Sequence, residues 1–249
     1  MTSLSDFINN ILLDALLETL YMIMVPAVLA TIIGFILAMI LVVTKEGGLK
    51  PNSTINKCLG FIVNTLRSFP FMILIVVLIP LTRMIVGTGI GATAAIVPIT
   101  IGSAPFIARI IEAALNEVDK GLIEAAKSFG ATKLQIVFKV MLKEAMPSIA
   151  SGVTLSIISI LGYTAMAGAV GAGGLGSVAL TYGHQRFDTA IMLYTVVTLM
   201  ILVQVIQGAG NLAYNRLKYG KNLKFKKRKV SISNNHISVK TNTELNENV

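Results

Sequence analysis

The sequence predicts an all-α, polytopic membrane protein with about five transmembrane helices. Three observations predict it. Of 249 residues, 54% are hydrophobic and only 13% charged, against about 25% charged in an average soluble domain. Five windows carry the roughly 20 mostly apolar residues that a bilayer-crossing helix needs. With the N-terminus placed outside, 19 of the 21 Lys and Arg residues fall in inner segments, and only Arg83 and Arg186 in outer ones. That bias orients membrane proteins with their basic loops in the cytoplasm, so the C-terminus is expected there too.

Residues 1–16 read as a short outer segment. No Lys or Arg occurs before Lys45, whereas a secretory signal has a basic start and a short apolar core, so the first apolar run is read as a retained helix. Span one is Thr19 to Val43. Span two lies between Leu59 and Ile85, strongest at FPFMILIVVLIPLT. Arg67 interrupts it. Either the helix proper starts near Phe69, or Arg67 snorkels at the cytoplasmic interface. A charge so close to membrane depth is also a candidate gate or partner contact. Cys58 is the only cysteine and is expected to be a small buried hydrophobe.

Span three is Ile90 to Ile111. Pro98 and Pro105, with Gly102 and Ser103, interrupt its hydrogen-bond ladder. That kink either lines a path or serves packing. Arg109 and Glu112, three apart, are expected to pair locally. Span four is Ile149 to Val170. Thr154, Ser156, Ser159, Tyr163 and Thr164 give it a partly polar face. The face lines a pathway in a homodimer, or its hydroxyls bond back to their own helix. The small-residue run AMAGAVGAGGLG at its outer end is either a close-packing surface or a pore-lining hinge. The candidates for a translocation pathway are thus Arg67, Pro70, Ser103, Pro105, Ser159, Tyr163 and Met166. Span five is Ala190 to Ala213. From residue 218 to 249 a basic run, KFKKRK, gives way to Ser, Asn, Thr and Glu, a composition expected to lack regular structure.

Between spans three and four lies a charged, periodic insert. Asp119 is placed to cap a helix, on which Leu122, Ala125, Ala126 and Phe129 share one side at helical spacing. Gly130 supplies the stop. Thr132, three before Gln135, begins a capping box, and Leu134, Val137, Val140 and Met141 form the next apolar stripe. Pro147 is read as the boundary with span four. Two short amphipathic helices on the cytoplasmic side either lie on lipid or dock a soluble partner.

The residues Glu124, Ala125 and Ala126, with Gly130 four further on, resemble the EAA loop of the transmembrane subunits of binding-protein-dependent ABC importers. Val140-Met141-Leu142 stands where that family has Ile-x-Leu, and Lys143 where it usually has Pro. The stretches RSFPFMILIVVLIPLTR, GTGIGATAAIVPITIGSAPFIARIIEAALNEVDKGLIEAAKSFGAT and GYTAMAGAVGAGGLG are similar to the methionine-importer branch. Polar amino-acid importers usually show Arg-Gly-Thr-Pro where this chain has Arg67 to Pro70. The resemblance covers residues 17–217. It implies a homodimer in the bacterial cell membrane, flanked by two cytoplasmic ATPase subunits that bind ATP and Mg. An external, lipid-anchored binding protein would deliver substrate. The insert would be the coupling helix: Glu124 would position it through polar contacts, Ala125 and Ala126 would allow close packing, and Gly130 would make the turn.

Other function classes fit less well. GAGGLG lacks the GK[ST] of a phosphate loop, so no ATPase site or cofactor is expected on this chain. His184 has no second histidine except His236, which disfavours a metal site. The basic excess matches an anionic lipid surface better than nucleic acid. A permease for another amino acid or short peptide, and a stand-alone channel or carrier, are the alternatives. A carrier would want acidic residues at mid-membrane, and an intramembrane enzyme a reactive pair inside a span.

Overall fold

The computed structural model describes residue 7 and residues 11–246, with side chains described as far as residue 219. Among the described residues every regular element is helical. In chain order these are α1 (Leu13–Thr44), α2 (Ser53–Ser68), α3 (Phe71–Val77), α4 (Ile79–Val86), α5 (Ala92–Asn116) and α6 (Lys120–Ser128). They are followed by α7 (Lys133–Ala169), α8 (Gly174–Val178) and α9 (Thr189–Asn246). Four helices are long and apolar enough to cross a membrane, with α9 counted over Thr189–Tyr219, and a fifth crossing exists if the bent pair α2 and α3 is one span.

The distribution of side-chain size is what lipid demands. On α1 the buried positions are mostly small, such as Ala15, Ala27, Ala30, Gly34 and Ala38, while Leu13, Leu17, Met24, Val28, Ile32 and Ile36 point outward. Lipid tails solvate Leu and Ile as well as a core does, so small residues mark where helices meet. Gly34 is where α1 crosses α5: a Cβ there would lie 2.9 Å from the Ala104 carbonyl and from Ile107.

The second window is not one straight span. α2 and α3 meet at 105° across Phe69 and Pro70. Pro70 has no N–H, and it pushes the preceding residue out of helical geometry; Phe69 is accordingly extended, with ψ 127°. The helix after the break starts at Phe71, close to the expected Phe69, but the residues before it form a second helix. Cys58 on α2 is exposed rather than buried, because α2 buries only Val63.

Pro147 is not a boundary either. α7 runs through it without interruption. The proline's missing N–H costs one rung, at the Lys143 carbonyl, which a long helix tolerates. A π segment, Ile136–Met141, lies in the first turns of α7. The backbone of α9 stays helical to Asn246, although the composition of residues 218–249 predicts no regular structure. Extending an existing helix avoids the cost of a new nucleus.

Two ends of the bundle differ. At the basic end, α1 and α5 finish, and α6 and the start of α7 pack against them. The core there joins Ala38 and Val42 of α1, Ile107, Ile111 and Leu115 of α5, and Ile136, Val137 and Met141 of α7. At the far end, α8 is held by α1. The Glu18 carboxylate accepts from Gly174 N–H at 2.6 Å, and Thr19 Oγ1 accepts from Leu175 N–H at 2.9 Å. Here the small-residue run does pack closely. A Cβ on Gly168 or Gly176 would lie 2.4 or 2.5 Å from the backbone of the facing segment.

Candidate coupling loop and translocation pathway

The loop between α5 and α7 is built by local signals. Asp119 Oδ1 accepts from Gly121 N–H at 2.8 Å and starts α6. At the other end Gly130 has φ +74°. Its N–H reaches Lys127 O at 2.9 Å, and the Ala131 N–H reaches Ala126 O at 3.0 Å. That pair of bonds is a Schellman motif, which puts a left-handed residue where glycine is favoured. Nothing lies within 4 Å of a Cβ built on Gly130, so the need for glycine is conformational rather than steric. Thr132 and Gln135 then close a reciprocal capping box.

The packed face of this loop is not the expected stripe. Ile123 and Ala126 pack on the basic-end core. Leu122, Ala125 and Phe129 are exposed, Phe129 by 91%. The start of α7 repeats the pattern: Ile136, Val137 and Met141 are buried, while Leu134 is 71% exposed and Phe138 also stands out. The loop therefore has two apolar faces, one fixed to the bundle and one free. Glu124 lines a cleft between α6 and the ends of α1 and α5, with Lys45, Lys120 and Lys127.

The pathway candidates separate in space. Arg67 and Tyr163 share one cavity of about 260 Å³ with Phe69, Phe71, Gly102 and Phe106. Tyr163 stacks on Phe71, with centroids 4.3 Å apart and planes 16° apart. The Arg67 guanidinium lies 6.0 Å from the Phe106 centroid. Phe106 stands on α5 about 15 Å along the helix from Asn116 and about 21 Å from Ala92. Arg67 is exposed and stands about one turn from the Arg109–Glu112 pair, toward the basic end of α5. Pro70 sits at the break and N-caps α3. Ser103 and Pro105 are buried and do not line the Arg67 cavity. Ser103 Oγ has no hydrogen-bond partner. Ser159 Oγ donates to Leu155 O at 3.1 Å, the back-bond expected of such residues. Met166 is exposed on α7.

One cross-link was not visible in the sequence. Arg109 pairs with Glu112 at 2.6 Å as expected, and it also donates to Gly60 O at 3.2 Å and Asn64 Oδ1 at 2.9 Å. It thereby fastens α2 to α5 one turn below Arg67. Only the three-residue spacing to Glu112 was legible, because Asn64 lies 45 residues away.

Long apolar helices, a bent helix pair and an end loop with a free apolar face define a polytopic all-α membrane protein. Residues 30–217 match the binding-protein-dependent transport system inner membrane component family, and the chain belongs to it. It is 50% identical over 211 residues, 85% of this chain and 94% of the relative, to a protein of Vibrio cholerae named "Probable D-methionine transport system permease protein MetI". It is 45% identical, over 81% of its length and 91% of the relative's, to the "Methionine import system permease protein MetP" of Bacillus subtilis. Among solved structures it is similar to a chain of the MetNI methionine ABC transporter in an inward-facing conformation. That match has TM-score 0.83 and 44% identity, covering 87% of this chain and 99% of that one.

Proposed function

We propose that this chain is the permease subunit of an ATP-driven ABC importer and forms the pathway by which methionine enters the cell. Two copies form the membrane unit. Two cytoplasmic ATPase subunits supply ATP and Mg chemistry, and an external binding protein delivers substrate. The chain is multi-pass in the bacterial cell membrane, with its N-terminus outside and its basic end in the cytoplasm. Residues 17–217 are the transmembrane unit.

The observation that carries this reading is the free apolar face of the loop at the basic end. Leu122, Phe129 and Leu134 are large, apolar and exposed on a charged segment, a face that fits a groove on a soluble subunit. The opposite face ties the loop to α1, α5 and α7 through one packed core. Packed cores move as units rather than deforming continuously. A pull on α6 is thus delivered to three helices at once. Glu124, Ala125, Ala126 and Gly130 are the coupling residues in this reading. Closure of the ATPase dimer would switch the bundle between inward-open and outward-open states.

The test is uptake of labelled L-methionine into vesicles holding this chain, its ATPase subunit and its binding protein. Uptake should need all three components and ATP, and be blocked by unlabelled methionine but not by other amino acids. ATP-independent flux through this chain alone would overturn the importer. Uptake of a different solute would overturn methionine.

A further inference from the structure

We propose that the cavity at Arg67 is a transit site that holds the carboxylate of the amino acid being transported. The apolar side chain of that amino acid lies against the rings of Phe71, Phe106 and Tyr163. The inference rests on the importer reading and adds to it a binding site inside the permease.

The first argument is charge. A guanidinium that lines an aromatic cavity between membrane helices calls for an anionic or dipolar partner. Among the described residues no ion pair is found for Arg67, and the neighbouring Arg109 pairs with Glu112. Asp14, Glu18 and Asp188 stand at the far end, and Glu46, Glu117, Asp119, Glu124 and Glu144 at the basic end. Glu112, the nearest in height, is held by Arg109 at 2.6 Å. The fixed charge therefore awaits a carboxylate that arrives with the cargo.

The second argument is geometry. The Phe106 ring lies 6.0 Å from the Arg67 guanidinium carbon. A cation–π contact of that kind leaves the edge of the guanidinium open, and the edge carries the paired donors that fit a carboxylate. The stacked Phe71 and Tyr163 form an aromatic wall of the same cavity. A thioether packs favourably at about 5 Å from such rings. The backbone is broken beside this cavity, at Phe69 and Pro70. Broken helices at mid-membrane are tolerated where they line a cavity, and carriers place substrate there.

The test is photo-crosslinking of the permease–ATPase complex, without binding protein, to a diazirine analogue of methionine. Labelled permease peptides are mapped by mass spectrometry. The expected result is label on peptides carrying Phe71, Phe106 or Tyr163. Methionine should displace it, and methioninol, which lacks the carboxylate, should do so at least tenfold less well. Arg67→Gln should lower the labelling about ten- to a hundredfold, the range expected for loss of a charge-assisted contact, and Arg67→Lys, which keeps the charge but loses the paired donors, should fall between that variant and the wild type. No label in these peptides, equal displacement by methioninol, or full labelling of Arg67→Gln would each overturn the site. Should Arg67→Gln fail to assemble, the methioninol comparison on the wild type decides alone. Methionine uptake by the same wild-type complex, with binding protein added, keeps the two readings apart. Uptake without label refutes the transit site and leaves the importer. Absence of methionine uptake refutes the importer's substrate.

Discussion

Phe129→Ala is expected to loosen the ATPase subunit without weakening the permease. The ring is 91% exposed, so truncation removes almost no burial within the chain, and the melting temperature of the permease alone should not move. Docked in a groove, the same ring would be covered. Burying a Phe side chain is worth about 1.5–3 kcal/mol, which is roughly 10- to 150-fold in Kd for each docked loop. The assay is titration of purified ATPase subunit onto the permease in lipid nanodiscs, read as Kd, alongside thermal unfolding of the permease alone. Ile136→Ala is the control from the other face. It is 1% exposed, and its truncation should cost about 2–5 kcal/mol of fold stability. An unchanged Kd for Phe129→Ala, or a loss of melting temperature as large as that of Ile136→Ala, would refute the two-face account.

Three further outcomes are expected. Gly130→Ala meets no neighbouring atom but pays about 1–2 kcal/mol for its left-handed backbone; uptake per ATP hydrolysed should fall while membrane insertion, read by fractionation, is unchanged. Thr19→Val removes the acceptor for the buried Leu175 N–H, which should cost about 1–3 kcal/mol and appear as a lower melting temperature. Gly176→Ala sets a Cβ 2.5 Å from Ala165 Cα; overpacking of this kind costs about 1–3 kcal/mol, so detergent-solubilised protein should unfold earlier, whereas Gly162→Ala, in open space, should not.

Spans one, three and five were legible because a long apolar run has few alternatives to a lipid-facing helix. The caps at Asp119 and Thr132 and the stop at Gly130 were legible because they are local, set by residues within five positions of one another. What was not legible depended on distance. The bend at Pro70 needed the knowledge that α2 packs along α5 through Asn64 and Arg109. The latch of Glu18 and Thr19 onto α8 spans 156 residues, and no local pattern marks it. The place of Arg67 beside Phe106, 39 residues away, needed the packing of α2 on α5. Pro147 misled for the opposite reason: proline reports a missing donor, and a long helix can lose one rung and continue.

The misassigned stripe on the coupling loop shows why hydrophobic periodicity underdetermines a docking element. Leu134 and Val137 are three apart, close enough on a helix to read as one face. In the structure they fall on either side of a boundary. Val137 continues at spacings of four through Met141 and Ala145 into the core, while Leu134 continues by the same spacing to Phe138 and stays exposed. Two adjacent stripes of equal hydrophobicity look like one broad stripe in sequence. A helix with a single partner needs only one of them. A broad apolar face on a short charged loop is thus itself a signal, because one core cannot cover it and the remainder calls for a second partner. On this chain that remainder is Leu122, Phe129, Leu134 and Phe138, the face that the proposed ATPase subunit would cover.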